Sequence, residues 1–112
     1  MISPSRVEAV RLLPLVSTGA PITGELKQPR GVTNLRIAVS GTGTFTLQIR
    51  GVIDGVSSAL TVWDTTKNGF LTNNNITAAG IYDIDVQGFD GVQAHVATLT
   101  GGNVAVTGRW LA

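Results

Sequence analysis

The stretch VTNLRIAVSGTGTFTLQI, from Val32 to Ile49, decides the fold class. Leu35, Ile37 and Val39 alternate with Arg36, Ala38 and Ser40. After Gly41-Thr42-Gly43, the residues Phe45, Leu47 and Ile49 alternate with Thr44, Thr46 and Gln48. Successive side chains of a strand point to opposite sides, so an apolar residue at every second position marks a strand with one buried face. The glycines between the two runs predict a hairpin, because tight turns need a positive φ that glycine adopts without strain. Pairing Val39 with Phe45, Ile37 with Leu47 and Leu35 with Ile49 puts all six apolar side chains on one face. A slip by one residue would bury Arg36 or Arg50, so the register is strongly specified.

The same alternation returns further along the chain. Tyr82, Ile84 and Val86 form one run, Val92, Ala94 and Val96 a second, and Val104, Val106 and Trp110 a third. Gly88-Phe89-Asp90-Gly91 and Thr100-Gly101-Gly102-Asn103 read as the turns of an antiparallel meander. Ala59–Trp63 reads as a further strand, Phe70–Thr77 as a looser segment and Asn73-Asn74-Asn75 as a loop. Val7–Leu13 fits either a short helix capped by Ser5, with Val7, Val10 and Leu13 on one side, or an edge strand ended by Pro14, and the edge strand is preferred. Residues 14–31, with Pro14, Pro21 and Pro29, read as an extended arm with a short strand at Gly24–Lys27. The expected organisation is one domain, with an edge strand and arm over residues 1–31 and a core over 32–112. Short strands and glycine-rich corners predict an all-β chain, a single antiparallel β-sandwich of jelly-roll-like or related Greek-key form. The expected core is Leu35, Ile37, Val39, Phe45, Leu47, Ile49, Leu60, Val62, Tyr82, Ile84, Val86, Val92, Val96, Val104 and Val106.

Composition narrows the function classes. The chain has 112 residues, room for one hydrophobic core. Charged residues make up 13%, against about 25% in an average domain. The mean hydropathy of +0.27 argues against a disordered chain. A net charge of +1 gives no basic field for nucleic acid and no polybasic membrane patch. Without cysteine there is no disulfide or thiolate chemistry. No apolar run is long enough for a helical membrane span, and MISPSRVEAVRLLPLV has no continuous apolar stretch of the signal-peptide kind.

Candidate chemistry is sparse. His95 is the one histidine. In the meander register it faces Asp83 across one strand pair and has Thr107 on its other side. A Thr-His-Asp set is arithmetically possible, but no nucleophile elbow or oxyanion loop accompanies it. A surface cross-strand ion pair is the plainer reading. Asp83, Asp85 and Asp90 lack the spacing of a calcium loop. No catalytic residue, metal ligand or cofactor is expected. Trp63, Asp64, Asn73, Asn74 and Asn75 combine an aromatic ring with carboxylate and amide groups, the residue types of a glycan site. Ordinary packing of Trp63 over the edge of the core is the competing reading.

The surface itself carries a clue. Thr33, Ala38, Ser40, Thr44, Thr46, Gln48, Gln93, Ala97, Ala105 and Thr107 populate the predicted wet faces. Charge depletion of this kind belongs to interface cores, whereas free edges are usually guarded by charges such as lysine. The arm is long for a loop in a compact domain. An arm reaching onto a neighbour would bury Leu13, Leu15, Val16, Ile22 and Leu26, with Arg11 and Arg30 at the rim. A homo-oligomer is expected, a trimer in preference to a dimer. An arm wrapping its own sheet is the alternative.

The stretch ITAAGIYDIDVQGFDGV, residues 76–92, continued by LTGGNVAVTGR, residues 99–109, resembles small virion proteins of tailed bacteriophages. In that family a T-x-x-G-x-Y-x-x-D-V-x-G strand and turn lead into G-x-V-x-V-x-G. The resemblance extends to Val39-Ser40-Gly41-Thr42-Gly43-Thr44 and covers about half of the chain. It implies a jelly-roll-like or related sandwich built into phage particles as a head decoration (cement) protein, a head-fibre base or a tail-associated module. The motif carries no catalytic residues, so none are transferred. The expected function is that of a non-enzymatic virion protein on the outer capsid surface, made in the host cytoplasm and bound to the major capsid protein. The alternative is a receptor- or glycan-binding module of a tail fibre or baseplate.

Overall fold

The computed structural model describes residues 8–16, 20–29 and 33–111. Eight strands follow one another: β1 (Glu8–Val16), β2 (Ile22–Thr23), β3 (Asn34–Ile53), β4 (Val56–Ala59), β5 (Trp63–Asp64), β6 (Gly69–Phe70), β7 (Gly80–Asp85) and β8 (Gly91–Leu111). Among the described residues the one helical element is a 3₁₀ turn at Thr72–Asn74. The architecture is all-β and antiparallel, as the alternation predicts.

The frame consists of β3 and β8, with 20 and 21 residues. They pair antiparallel from Asn34↔Leu111 to Val52↔Gly91. The N-terminal half of β3 carries β7, which carries β5 and then β6, and the C-terminal half of β3 carries β4. β8 carries β1 along its C-terminal half and β2 along its N-terminal half. A straight strand of 20 residues would span roughly 63 Å at about 3.3 Å per residue, yet the longest dimension of the molecule is 47 Å. The long pair is therefore bent.

The bend lies where hairpin turns are predicted, and this corrects the sequence reading. Gly41-Thr42-Gly43 does not turn β3 back on itself, and Thr100–Asn103 does not turn β8. Val39 pairs with Val106, not Phe45; Ile37 pairs with Gly108, not Leu47; Leu35 pairs with Trp110, not Ile49. The ladder slips by one residue between Thr42 and Thr44 and again between Thr46 and Leu47. Each slip leaves one extra residue in β8, the signature of a β-bulge, which bends a strand and increases its twist. Gly43 and Gly101 take φ of +76° and +71° at the first slip. A Cβ on Gly43 would stand 2.6 Å from the Thr100 carbonyl oxygen, and one on Gly41 or Gly102 would strike the opposing backbone. Both strands need glycine here because their backbones approach too closely for side chains.

All fifteen residues expected in the core are buried, in one cluster. The parity argument survives the wrong pairing because the bulges come as two. Two inserted residues return Val96 and Val104 to the same face, while Leu99, between the bulges, meets Phe45. Leu12, Leu13, Ile76, Ala94 and Trp110 join the fifteen in that cluster. A register shift between Arg11 and Leu13 lets the adjacent Leu12 and Leu13 both turn inward. The true hairpin joins β3 to β4 at Asp54-Gly55, with φ of 49° and 80°. Asp-Gly between apolar flanks is the composition that such a two-residue turn requires.

The described part of the arm lies along its own sheet. Thr23 pairs with His95, the Gly24 amide donates to the Ala94 carbonyl at 2.7 Å, and Lys27 bridges Val92.

Candidate functional site

The outer face of the sheet around β7 carries the densest group of functional side chains. Directly opposed residues on paired strands point to the same side. Trp63 opposes Phe70 on β6 and Asp83 on β7, Asp83 opposes Arg36 on β3, and Arg36 opposes Arg109 on β8. Phe70, Trp63, Asp83, Arg36 and Arg109 therefore form one transverse row on the side away from Leu35 and Ile37. The Asp83 carboxylate accepts from Arg36 at both oxygens, at 2.7 and 2.8 Å. That fork-to-fork geometry is the strongest an arginine–carboxylate pair adopts. It raises the pKa of Arg36 above its ordinary value, through the hydrogen bonds first and the Asp83 charge second. The Trp63 and Phe70 rings meet edge to face, centroids 4.9 Å apart and planes at 85°.

Two clefts flank β5. The first, about 360 Å³, is lined by Asn34, Thr61, Trp63, Phe70, Asp83 and Asp85, with Ile84 between the aspartates. The second, about 190 Å³, includes Asp64, Lys67, Asn75 and Tyr82 in its lining. Neighbouring residues on a strand face opposite ways, so Trp63 and Asp64 serve different clefts. Asp64 is buried beside its register partner Tyr82. Its Oδ1 accepts from the Thr66 and Lys67 amides, at 2.9 and 3.2 Å, and closes the loop between β5 and β6. Burial, and then the Asp64 charge, raises the pKa of the Tyr82 hydroxyl, which donates to the Ala78 carbonyl at 2.7 Å.

The glycan set read from the sequence is thus divided. Asn73 and Asn74 shape the 3₁₀ turn at φ of 57° and 59° and line neither cleft. Asn75 sits in the second cleft with Asp64, accepting at Oδ1 from Gln48 at 2.9 Å. Trp63 is joined instead by Phe70, Asn34 and Asp85, which the sequence reading missed. The missing signal was pairing: Trp63 reaches Phe70 across a six-residue connection and Asp83 across a β5–β7 ladder that alternation cannot show.

The Thr-His-Asp set does not assemble. His95 opposes Gln48, Asp83 opposes Arg36 and Thr107 opposes Ala38. His95 Nδ1 shares a hydrogen bond with the Thr23 hydroxyl at 2.9 Å. Its pKa is lowered by burial first and by the Arg50 charge second. Among the described residues, no three His, Asp or Glu side chains gather to hold an ion.

The arm residues also separate. Leu13 is fully buried in the chain's own core, and Val16 and Ile22 pack partly against it. Leu26 and Arg11 are exposed, Leu15 lies on β1, and Arg30 is outside the described residues. Leu26 lies over Gly91, which opposes Val52 two residues before the β3–β4 turn. Leu26 lies toward the same end of the sheet as Ile53 and Val56, exposed at 46% and 72%, but on the face of Val52 and Gly91, whereas Ile53 and its partner Val56 belong to the opposite face.

No family model and no curated protein matches the chain. A solved structure does: the SPBc2 prophage-derived protein YomS superimposes with a TM-score of 0.86, over 100% of this chain and 98% of that one, at 20% identity. The two proteins share a fold. The likeness takes in the long bent strand pair and every shorter strand on it, because it runs over the full length of this chain.

Proposed function

We propose that the chain is a non-enzymatic structural protein of a tailed-phage particle, a decoration or cement protein that binds the outer capsid surface and reinforces the head. The observation that carries the reading is the full-length fold likeness to a prophage-derived protein. The strand-and-turn motif of residues 76–92 and 99–109 and the charge-poor surface add to it. The attachment surface in this reading is the tip of the sheet at the β3–β4 turn, with the exposed Ile53 and Val56 on one face and Leu26 on the other. Burying these side chains against a shell subunit would supply about 25 cal/mol per Å² of apolar surface removed from water. Of the arm, this end keeps Leu26 as a contact; Leu13 is committed to the core, and the described arm pairs with its own sheet. Self-association into a trimer would multiply the attachment points, and each added contact strengthens the whole through effective concentration.

The test is cosedimentation of the purified chain with phage heads, comparing the wild type with Val56→Asp and Leu26→Asp. Both positions are exposed, so each substitution should change stability by no more than about 0.5 kcal/mol. Loss of cosedimentation with an unchanged unfolding midpoint supports the reading. Undiminished binding by both variants would move the contact elsewhere, and failure of the wild type to bind heads would remove the decoration role.

A further inference from the structure

The cleft beside Trp63 and Phe70 has the chemistry of a ligand site that the structural role does not use. Phe70 is 67% exposed although it is a large apolar ring. The sheet has a covered face nearby, so nothing in the packing requires an aromatic residue in the open. Its edge-to-face contact holds Trp63 in place and gives the cleft a rigid aromatic wall. Apart from Ile84 the rest of the lining is polar, and each polar group can be accounted for. Asp83 has both oxygens committed to Arg36. Asp85 accepts from the Gln87 amide through Oδ1 at 3.0 Å, and among the described residues its Oδ2 has no partner. Asn34 opposes Asp85 across the β3–β7 ladder, which brings an amide beside that free carboxylate oxygen. Its Nδ2 donates to Thr33 at 3.2 Å, leaving Oδ1 free among the described residues. Thr61 adds a hydroxyl.

We propose that this cleft binds a neutral pyranose saccharide, with an apolar C–H face of the ring against Trp63 and Phe70 and hydroxyl groups on Asp85 and Asn34. The ligand must offer an apolar face and several hydroxyls at once, which a pyranose does. Charge selects against the alternatives. Asp85 repels an anionic sugar. The Arg36 guanidinium cancels Asp83 and leaves a single carboxylate, a weak attraction for an organic cation. The volume of about 360 Å³ falls within the range of small-ligand pockets. The inference does not rest on head attachment, which uses the other end of the sheet.

The experiment screens the full chain on an array of neutral hexose and N-acetylhexosamine oligosaccharides, then titrates the hits by NMR. Phe70→Ala and Asp85→Asn are the test variants; Lys67→Ala, in the second cleft, is the control. Choline chloride and a sialylated oligosaccharide serve as the cationic and anionic probes. The expected result is binding of at least one neutral saccharide, weakened at least tenfold by each test variant and less than twofold by the control, with chemical shifts moving at Trp63 and Asn34. Both variants change exposed side chains, and a denaturation curve checks that they fold. No saccharide binding at about 10 mM ligand, roughly ten times the Kd of a site that binds at about 1 mM, overturns the proposal. So does tighter binding of choline or the sialylated probe, or an affinity that only Lys67→Ala changes.

Discussion

Gly43 and Gly101 hold left-handed backbone, at φ of +76° and +71°, on the two strands that meet at the bend. Around them Thr42 opposes Asn103 and Thr44 opposes Thr100, so that two residues of β8, Gly101 and Gly102, answer one of β3, Gly43. Alanine at the two glycines should have unequal effects. At Gly101 nothing stands within 4 Å of the added Cβ, so only the backbone conformation resists, at about 1–2 kcal/mol. At Gly43 the same conformational cost is joined by contact with the Thr100 and Gly101 backbone. Urea unfolding should rank wild type above Gly101→Ala, and Gly101→Ala above Gly43→Ala. Equal stability of the three would remove the bulge from the account of the bend.

Leu12 and Leu13 are each 1% exposed. Replacing either with alanine should cost about 2–5 kcal/mol, the range for a large buried aliphatic side chain. Removal of residues 1–20 should then unfold the chain, because it strips both leucines and leaves the C-terminal half of β8 without its edge partner. Circular dichroism of the truncated protein checks this. A cooperative β-sheet melt at the wild-type temperature would place β1 outside the stabilising core.

Arg36 stands between Asp83 and Arg109 in the transverse row. The ion pair is partly exposed, with Arg36 at 53% and Asp83 at 28%, so screening limits it to about 0.2–1 kcal/mol. Asp83→Asn should lose that amount, and the loss should shrink at high salt. Arg109→Gln should gain a few tenths of a kcal/mol, about the size of a like-charge cross-strand repulsion. The double variant reads the coupling between Asp83 and Arg109 through Arg36; strict additivity would show that these two side chains do not sense each other.

His95 sets a pH dependence. Its folded pKa lies below the ordinary value of 6.5, through burial and the Arg50 charge. The unfolded chain therefore binds the proton more readily than the folded one. Stability from this group is complete above about pH 6.5 and declines as the pH falls from there through the lower folded value. His95→Gln should flatten that part of the stability–pH curve. A wild-type curve that rises on acidification across this window would contradict the assignment.

The core was legible because period-two alternation depends only on which face is buried. Val39 and Phe45 lie inward whether they face each other across a hairpin or follow each other along one strand, so the burial prediction survived a wrong pairing. Gly-Thr-Gly is compatible with a turn and with a bulge, and only the matching glycines at residues 101 and 102 distinguish the two. Reading each pair as its own turn missed that they face each other. Leu12 and Leu13 were hidden because two adjacent inward residues break alternation. The candidate site was legible in Trp63 alone. Its neighbours Phe70, Asn34 and Asp85 come from strands whose order no local pattern encodes.

The proposed place of the chain is as a structural component of a phage head. Quantitative mass spectrometry of purified virions from the source phage tests it most directly, by counting copies of this chain against the major capsid protein. A decoration protein should stand at a fixed ratio to the shell subunits. A handful of copies per particle, or none, would contradict it.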